Sequence, residues 1–187
     1  MISAKDLFTD APVVAAVKTD LELHKALESD CQVIFLLYGS IMNIGDLVDR
    51  IHRADKACFV HMDLLEGFSS REIAVDGLVR LCRPEGILST KVALIRRAQQ
   101  LGLVGVLRIF LLDSLSLKNL YTQLDSFRPD FVEILPGILP TVIREITEKT
   151  SVPLIAGGLI RTKEDVIAAL RAGVVAVSTS CCQVWDM

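Results

Sequence analysis

Eight short runs of branched aliphatic residues alternate with amphipathic, charge-bearing stretches along the whole chain. The runs fall at residues 12–18, 32–38, 57–63, 86–90, 104–113, 131–136, 153–157 and 174–178. Short apolar runs rich in Val, Ile and Leu predict strands buried on both faces. The stretches between them predict covering helices. In residues 162–172, for example, Val166, Ile167, Ala169 and Leu170 share a face, while Lys163, Glu164 and Arg171 lie largely outside it. Eight such units in one domain predict a closed α/β barrel of the (β/α)8 TIM type rather than an open doubly wound sheet. At 187 residues the chain is short for this fold, which typically needs about 250. It also ends a few residues past the eighth run. The expectation is therefore one compact barrel domain over residues 1–187 with a truncated or missing final helix. Residues before Pro12 are expected to cap its bottom, and an apolar seam beside the eighth strand to favour a homodimer.

Local signals agree with this rhythm. Thr19 with Glu22, Asn43 with Asp46 and Thr162 with Asp165 have capping-box spacing, and Pro140 suits a first helical position. Gly102 and Gly173 stand where helices would end in a left-handed residue.

Composition excludes several classes. Hydrophobic residues make up 51% and the net charge is −3, so disorder and a global basic field for nucleic acid are both excluded. The five cysteines, Cys31, Cys58, Cys82, Cys181 and Cys182, form no ligand or disulfide pattern. The uncharged stretches 31–45 and 172–185 fall short of the roughly 20 apolar residues a spanning helix needs. With no signal-peptide pattern, the chain reads as soluble and cytoplasmic, with no membrane partner.

Two sets of residues carry chemistry. A charge inside a barrel strand is costly unless it is paired or stands at the open mouth. Lys18, His61, Asp63, Arg108, Asp113 and Glu133 all sit in or near the C-terminal parts of strand runs. They predict a polar small-molecule site, with a structural ring of salt bridges as the alternative. The second set is Gly157-Gly158 after strand 7 and Ser178-Thr179-Ser180 after strand 8. Glycines admit an anion close to the backbone and hydroxyls add donors, at the place where this fold usually holds a phosphate. His61, Asp63 and Glu133 could be combined as metal ligands, but no metal motif supports that, and no cofactor is expected. Lys18 or Lys91 could serve as a Schiff-base lysine, though spacing singles out neither.

The order of several segments resembles a known family. These are residues 61–67 (HMDLLEG), 84–91 (PEGILSTK), 108–114 (RIFLLDS), 129–137 (PDFVEILPG), 156–162 (AGGLIRT) and 176–180 (AVSTS), with Trp185 trailing. Together they look like the glycerol-3-phosphate-responsive antiterminators, also called glycerol uptake operon antiterminator regulatory proteins. The resemblance spans about residues 12–185. It implies a bacterial regulator rather than an enzyme. Such a protein would sense glycerol 3-phosphate, with the phosphate on the loops after strands 7 and 8. It would then bind the leader mRNA of a glycerol-metabolism operon.

RNA affinity needs a basic footprint. Arg50, Arg53 and Lys56 cluster before strand 3, and Arg80, Arg83, Lys91, Arg96 and Arg97 around strand 4. On a sequential barrel these stretches would be neighbours. An enzyme remains the alternative reading, a sugar-phosphate isomerase or aldolase using His61, Asp63 and Glu133 as acid–base groups.

Overall fold

The computed structural model describes residue 8 and residues 11–187. Eight strands pair in parallel and in chain order, and β8 pairs back to β1 to close the barrel. They are β1 (Val13–Val17), β2 (Val33–Leu36), β3 (Ala57–His61), β4 (Gly86–Ser89), β5 (Val104–Phe110), β6 (Phe131–Leu135), β7 (Leu154–Gly157) and β8 (Ala176–Thr179). Among the described residues, seven helices return the chain outside: α1 (Asp20–Glu28), α2 (Ile44–Arg53), α3 (Ile73–Leu81), α4 (Val92–Gln100), α5 (Ser114–Ser126), α6 (Pro140–Lys149) and α7 (Lys163–Arg171). No helix among the described residues is long and apolar enough to cross a membrane.

The strand period of two sorts each strand into an inner and an outer set. Val33, Phe35, Phe59, Leu88, Val106, Phe131, Ile155 and Ala176 fill the barrel interior together with Phe8. Phe8 stacks edge-on against Phe131 at 4.9 Å between ring centroids. The intervening residues, such as Ile34, Val60, Ile87 and Val177, pack outward under the helices. Apart from Phe8 and Ala11, the segment expected to cap the barrel bottom lies outside the described residues.

No helix follows β8. A single 3-10 turn at Cys182–Val184 takes its place, and Val184 and Trp185 are buried. Trp185 Nε1 donates to the Thr179 carbonyl at 2.9 Å, and Cys31 Sγ donates to the Trp185 carbonyl at 3.4 Å. The seam beside strand 8 is therefore filled by the chain's own C-terminal turn. It is not the exposed apolar strip expected to drive dimerisation.

The strands expected to carry Asp63 and Asp113 end earlier than their apolar runs suggest. β3 stops at His61 and passes into a 3-10 turn at Met62–Leu64. β5 stops at Phe110, and Asp113 caps α5 instead, accepting from the Ser116 amide in a capping box. Thr162 and Asp165 form the expected box at α7. Asn43 does not cap α2, because its Oδ1 accepts from the Ser40 amide and hydroxyl instead.

Candidate functional site

At the C-terminal mouth of the barrel lies an open cavity of about 880 Å³. Strand parity delivers its floor. On β5, Val106 faces the core interior, and two residues on Arg108 reaches the cavity. On β6 the same step leads from Phe131 to Glu133, and on β8 from Ala176 to Ser178.

Arg108 and Glu133 are partners in register across β5 and β6. Glu133 is fully buried, and both its oxygens are engaged. Arg108 Nε donates to Oε2 at 2.5 Å, and Ser178 Oγ donates to Oε1 at 2.5 Å. This pairing makes a buried carboxylate tolerable. The outer nitrogens of the Arg108 guanidinium have no hydrogen-bond partner among the described residues, and Arg108 lines the cavity.

Gly157 has its reason here. A Cβ at that position would stand 2.6 Å from both Glu133 Oε1 and Ser178 Oγ. Only a glycine lets β7 pass the Glu133–Ser178 bond. Gly158 adopts a left-handed backbone at φ +74°, and so does the non-glycine Leu159 at φ +61°.

Lys18, at the end of β1, and Ser180, after β8, line the cavity with Gly158. Thr179 also lines it, but its hydroxyl is already engaged. It donates to the Ile160 carbonyl at 2.7 Å and accepts from the Cys181 amide at 3.0 Å, tying the loops after β7 and β8 together.

One cation was not singled out from sequence. Arg161, exposed and without an ion-pair partner among the described residues, lines the cavity at the end of the β7 loop. A signal was present: a basic residue immediately before a helix N-cap opposes the helix dipole, so helix chemistry does not explain it.

Two candidates are placed elsewhere. His61 faces inward but is buried, and it does not line the cavity. Burial, with the nearby Arg108 charge, pushes its pKa down to about 4, so the ring is neutral near pH 7. Its Nδ1 has no hydrogen-bond partner. Asp63 lies in the turn after β3, not on a shared strand face with His61. It accepts from Ser89 Oγ at 2.9 Å and from the Thr90 amide at 2.7 Å, with Lys91 Nζ 3.5 Å away. Burial acts to raise its pKa, but the bonds from Thr90 and Ser89 prevail and lower it. Among the described residues no His, Cys, Asp or Glu cluster could hold a metal ion, so His61, Asp63 and Glu133 are not gathered as ligands.

The basic residues around strands 3 and 4 do not form one surface. Lys56 is buried, and its ammonium donates to the Ser29 and Cys31 carbonyls at 2.6 Å each. Arg50 pairs with Asp20 at 2.6 Å, and Arg97 grips Asp76 through two nitrogens. Arg96 lies over the Phe127 ring at 5.3 Å. Lys91 donates to Ser70 at the mouth. Arg53, Arg80 and Arg83 are exposed without ion-pair partners among the described residues, near the C-terminal ends of α2 and α3 at the barrel's opposite end.

Taken together, these elements define a closed (β/α)8 barrel with an open cavity at its mouth, lined by Lys18, Arg108 and Arg161. The model of the family "Glycerol-3-phosphate responsive antiterminator" matches residues 13–185, and the chain belongs to that family. It is 42% identical over 181 residues to the uncharacterized protein YgcP of Escherichia coli (strain K12), covering 97% of this chain and 95% of that one. The crystal structure of a glycerol uptake operon antiterminator regulatory protein from Listeria monocytogenes superposes with a TM-score of 0.92 at 31% identity, covering 95% of this chain and 96% of that one. A glycerol uptake operon antiterminator-related protein from Thermotoga maritima gives a TM-score of 0.82 at 29% identity, covering 94% and 98%.

Proposed function

We propose that this protein is a cytoplasmic glycerol-3-phosphate sensor that acts as an antiterminator on the leader mRNA of a glycerol-metabolism operon. The observation that carries the ligand half is the charge of the cavity. Lys18, Arg108 and Arg161 bring three positive charges, and Glu133, the carboxylate among the lining residues, already accepts from Arg108 and Ser178. The balance is three minus one, about +2. This suits a phosphate monoester, which carries about −1.5 to −2 charges at pH 7. Gly158 and Ser180 stand on the two loops that complete the cradle.

The same geometry favours a sensor over an isomerase or aldolase. Glu133 is fully buried and held by Arg108 and Ser178, His61 is buried and does not line the cavity, and Asp63 is held by Ser89 and Thr90 of the β4 loop. Ligand binding would favour one of two loop arrangements by its differential affinity for them. RNA contact then falls to the exposed Arg53, Arg80 and Arg83 rather than to Arg50, Lys56 or Arg97, whose charges are already engaged.

Calorimetric titration with glycerol 3-phosphate tests the ligand half. Binding is expected, with Arg161→Ala weakening it at least tenfold, as loss of a charge-assisted hydrogen bond worth about 1.5–3 kcal/mol would. No heat at millimolar ligand on folded protein would sink the assignment. For the RNA half, leader-RNA affinity should fall with salt, and the triple change Arg53→Ala, Arg80→Ala, Arg83→Ala should flatten that slope.

A further inference from the structure

The cavity has a charged part and an apolar stretch of rim. Its cations stand on three elements: Lys18 at the end of β1, Arg108 on β5 and Arg161 on the loop after β7. Arg108 is buried, and beyond it along β5 the lining changes character. There the lining is apolar: Leu64 after β3, Phe110 at the end of β5, and Leu112 beyond it. These side chains are 48%, 50% and 84% exposed. Single exposed apolar residues are ordinary. Three around one opening that also holds cations are the pattern of a ligand-recognition surface.

Leu159 adds a second observation. It lines the same cavity, is 58% exposed, and holds a left-handed backbone. That conformation costs a non-glycine residue roughly 1–2 kcal/mol. Strain of this kind concentrates at ligand clamps. A molecule as small as glycerol 3-phosphate, anchored on the cations, would leave this apolar rim bare and most of the 880 Å³ unfilled.

We propose that the mouth accommodates a larger amphipathic phosphate monoester, a glycerol phosphate bearing an aliphatic acyl chain. Its phosphate sits on Lys18, Arg108 and Arg161, and its chain lies along Leu64, Phe110 and Leu112. This rests on the phosphate-site reading above and extends it to the apolar rim. Each methylene laid on that wall tightens binding roughly fourfold.

The test is calorimetry on the full chain with three probes: glycerol 3-phosphate, 1-hexanoyl-glycerol 3-phosphate and hexyl phosphate. The hexanoyl ester is expected to bind at least tenfold tighter than glycerol 3-phosphate. The double variant Phe110→Ser, Leu112→Ser should abolish that gain while leaving glycerol 3-phosphate affinity within about twofold. Both side chains are substantially exposed, so an unchanged urea midpoint will show that the variant folds. If the ester binds no tighter than glycerol 3-phosphate, the apolar subsite is overturned and the phosphate reading stands. If hexyl phosphate binds while glycerol 3-phosphate gives no heat, the apolar subsite stands and the glycerol reading falls. If no probe binds, both fall.

Discussion

On the β3–β4 side of the barrel mouth, Asp63 is enclosed by Ser89, Thr90 and Lys91, and His61 is buried and does not line the cavity. On the other side, Arg108 grips Glu133 with one nitrogen and keeps its remaining donors at the cavity that Lys18 and Arg161 also line. Both sides offered charged residues at the ends of strands. What separates them is donor capacity left over after internal pairing. A polar residue that the fold already satisfies is part of the scaffold, while one that retains unused donors is available to a ligand.

The largest expected effect breaks the open side. Glu133→Ala leaves Arg108 buried without its partner and should cost about 3–5 kcal/mol in urea unfolding. A neutral result would show that the pair is not buried in solution. Gly157→Ala tests the same spot from the backbone. Its new methyl group would meet Glu133 and Ser178 at 2.6 Å, and overpacking of this kind should cost about 1–3 kcal/mol. Weakened phosphate binding should accompany it.

The closed side is probed by pH. His61 has its pKa lowered to about 4 in the folded state, against an ordinary value of about 6.5. Between these values the unfolded chain binds the extra proton, so stability falls as pH drops through this window. Its contribution between pH 7 and pH 5 should be a loss of about 2 kcal/mol by denaturant titration. His61→Leu should remove that slope; an unaltered slope would mean that the ring is solvated. The smallest effect belongs to Asp113. As a helix cap rather than a site residue, Asp113→Ala should cost about 1 kcal/mol of stability and leave ligand affinity intact.

The barrel was legible because it depends on pattern. Strand and helix periods, the glycines at 102 and 173, and the box at Thr162 depend on near neighbours in sequence. Placement at strand ends was legible too: it set Arg108 and Glu133 among the charges at the mouth and Ser178 among the hydroxyls after strand 8. What each side chain bonds to depends on contacts distant in sequence, such as Ser178 with Glu133 or Lys56 with the Ser29 carbonyl. No local spacing encodes those pairings. Asp63 and Asp113 looked like strand charges because the apolar runs continue past the point where each strand turns away. Lys56 looked like a surface charge because its neighbours are basic, whereas burial and two carbonyls hold it inside.

The C-terminal turn has a consequence for how the barrel is made. Strand β8 must reach β1, and the Trp185 carbonyl must reach Cys31, across 154 positions of chain. Contacts of such separation carry a large loop-closure entropy and slow folding. During synthesis the ring stays open, with the edges of β1 and β7 unpaired, until β8 and the turn after it leave the ribosome. A protein stalled a few residues before Trp185 would present those edges to other chains. Emergence of β8 and the turn after it thus converts an aggregation-prone open sheet into a closed barrel.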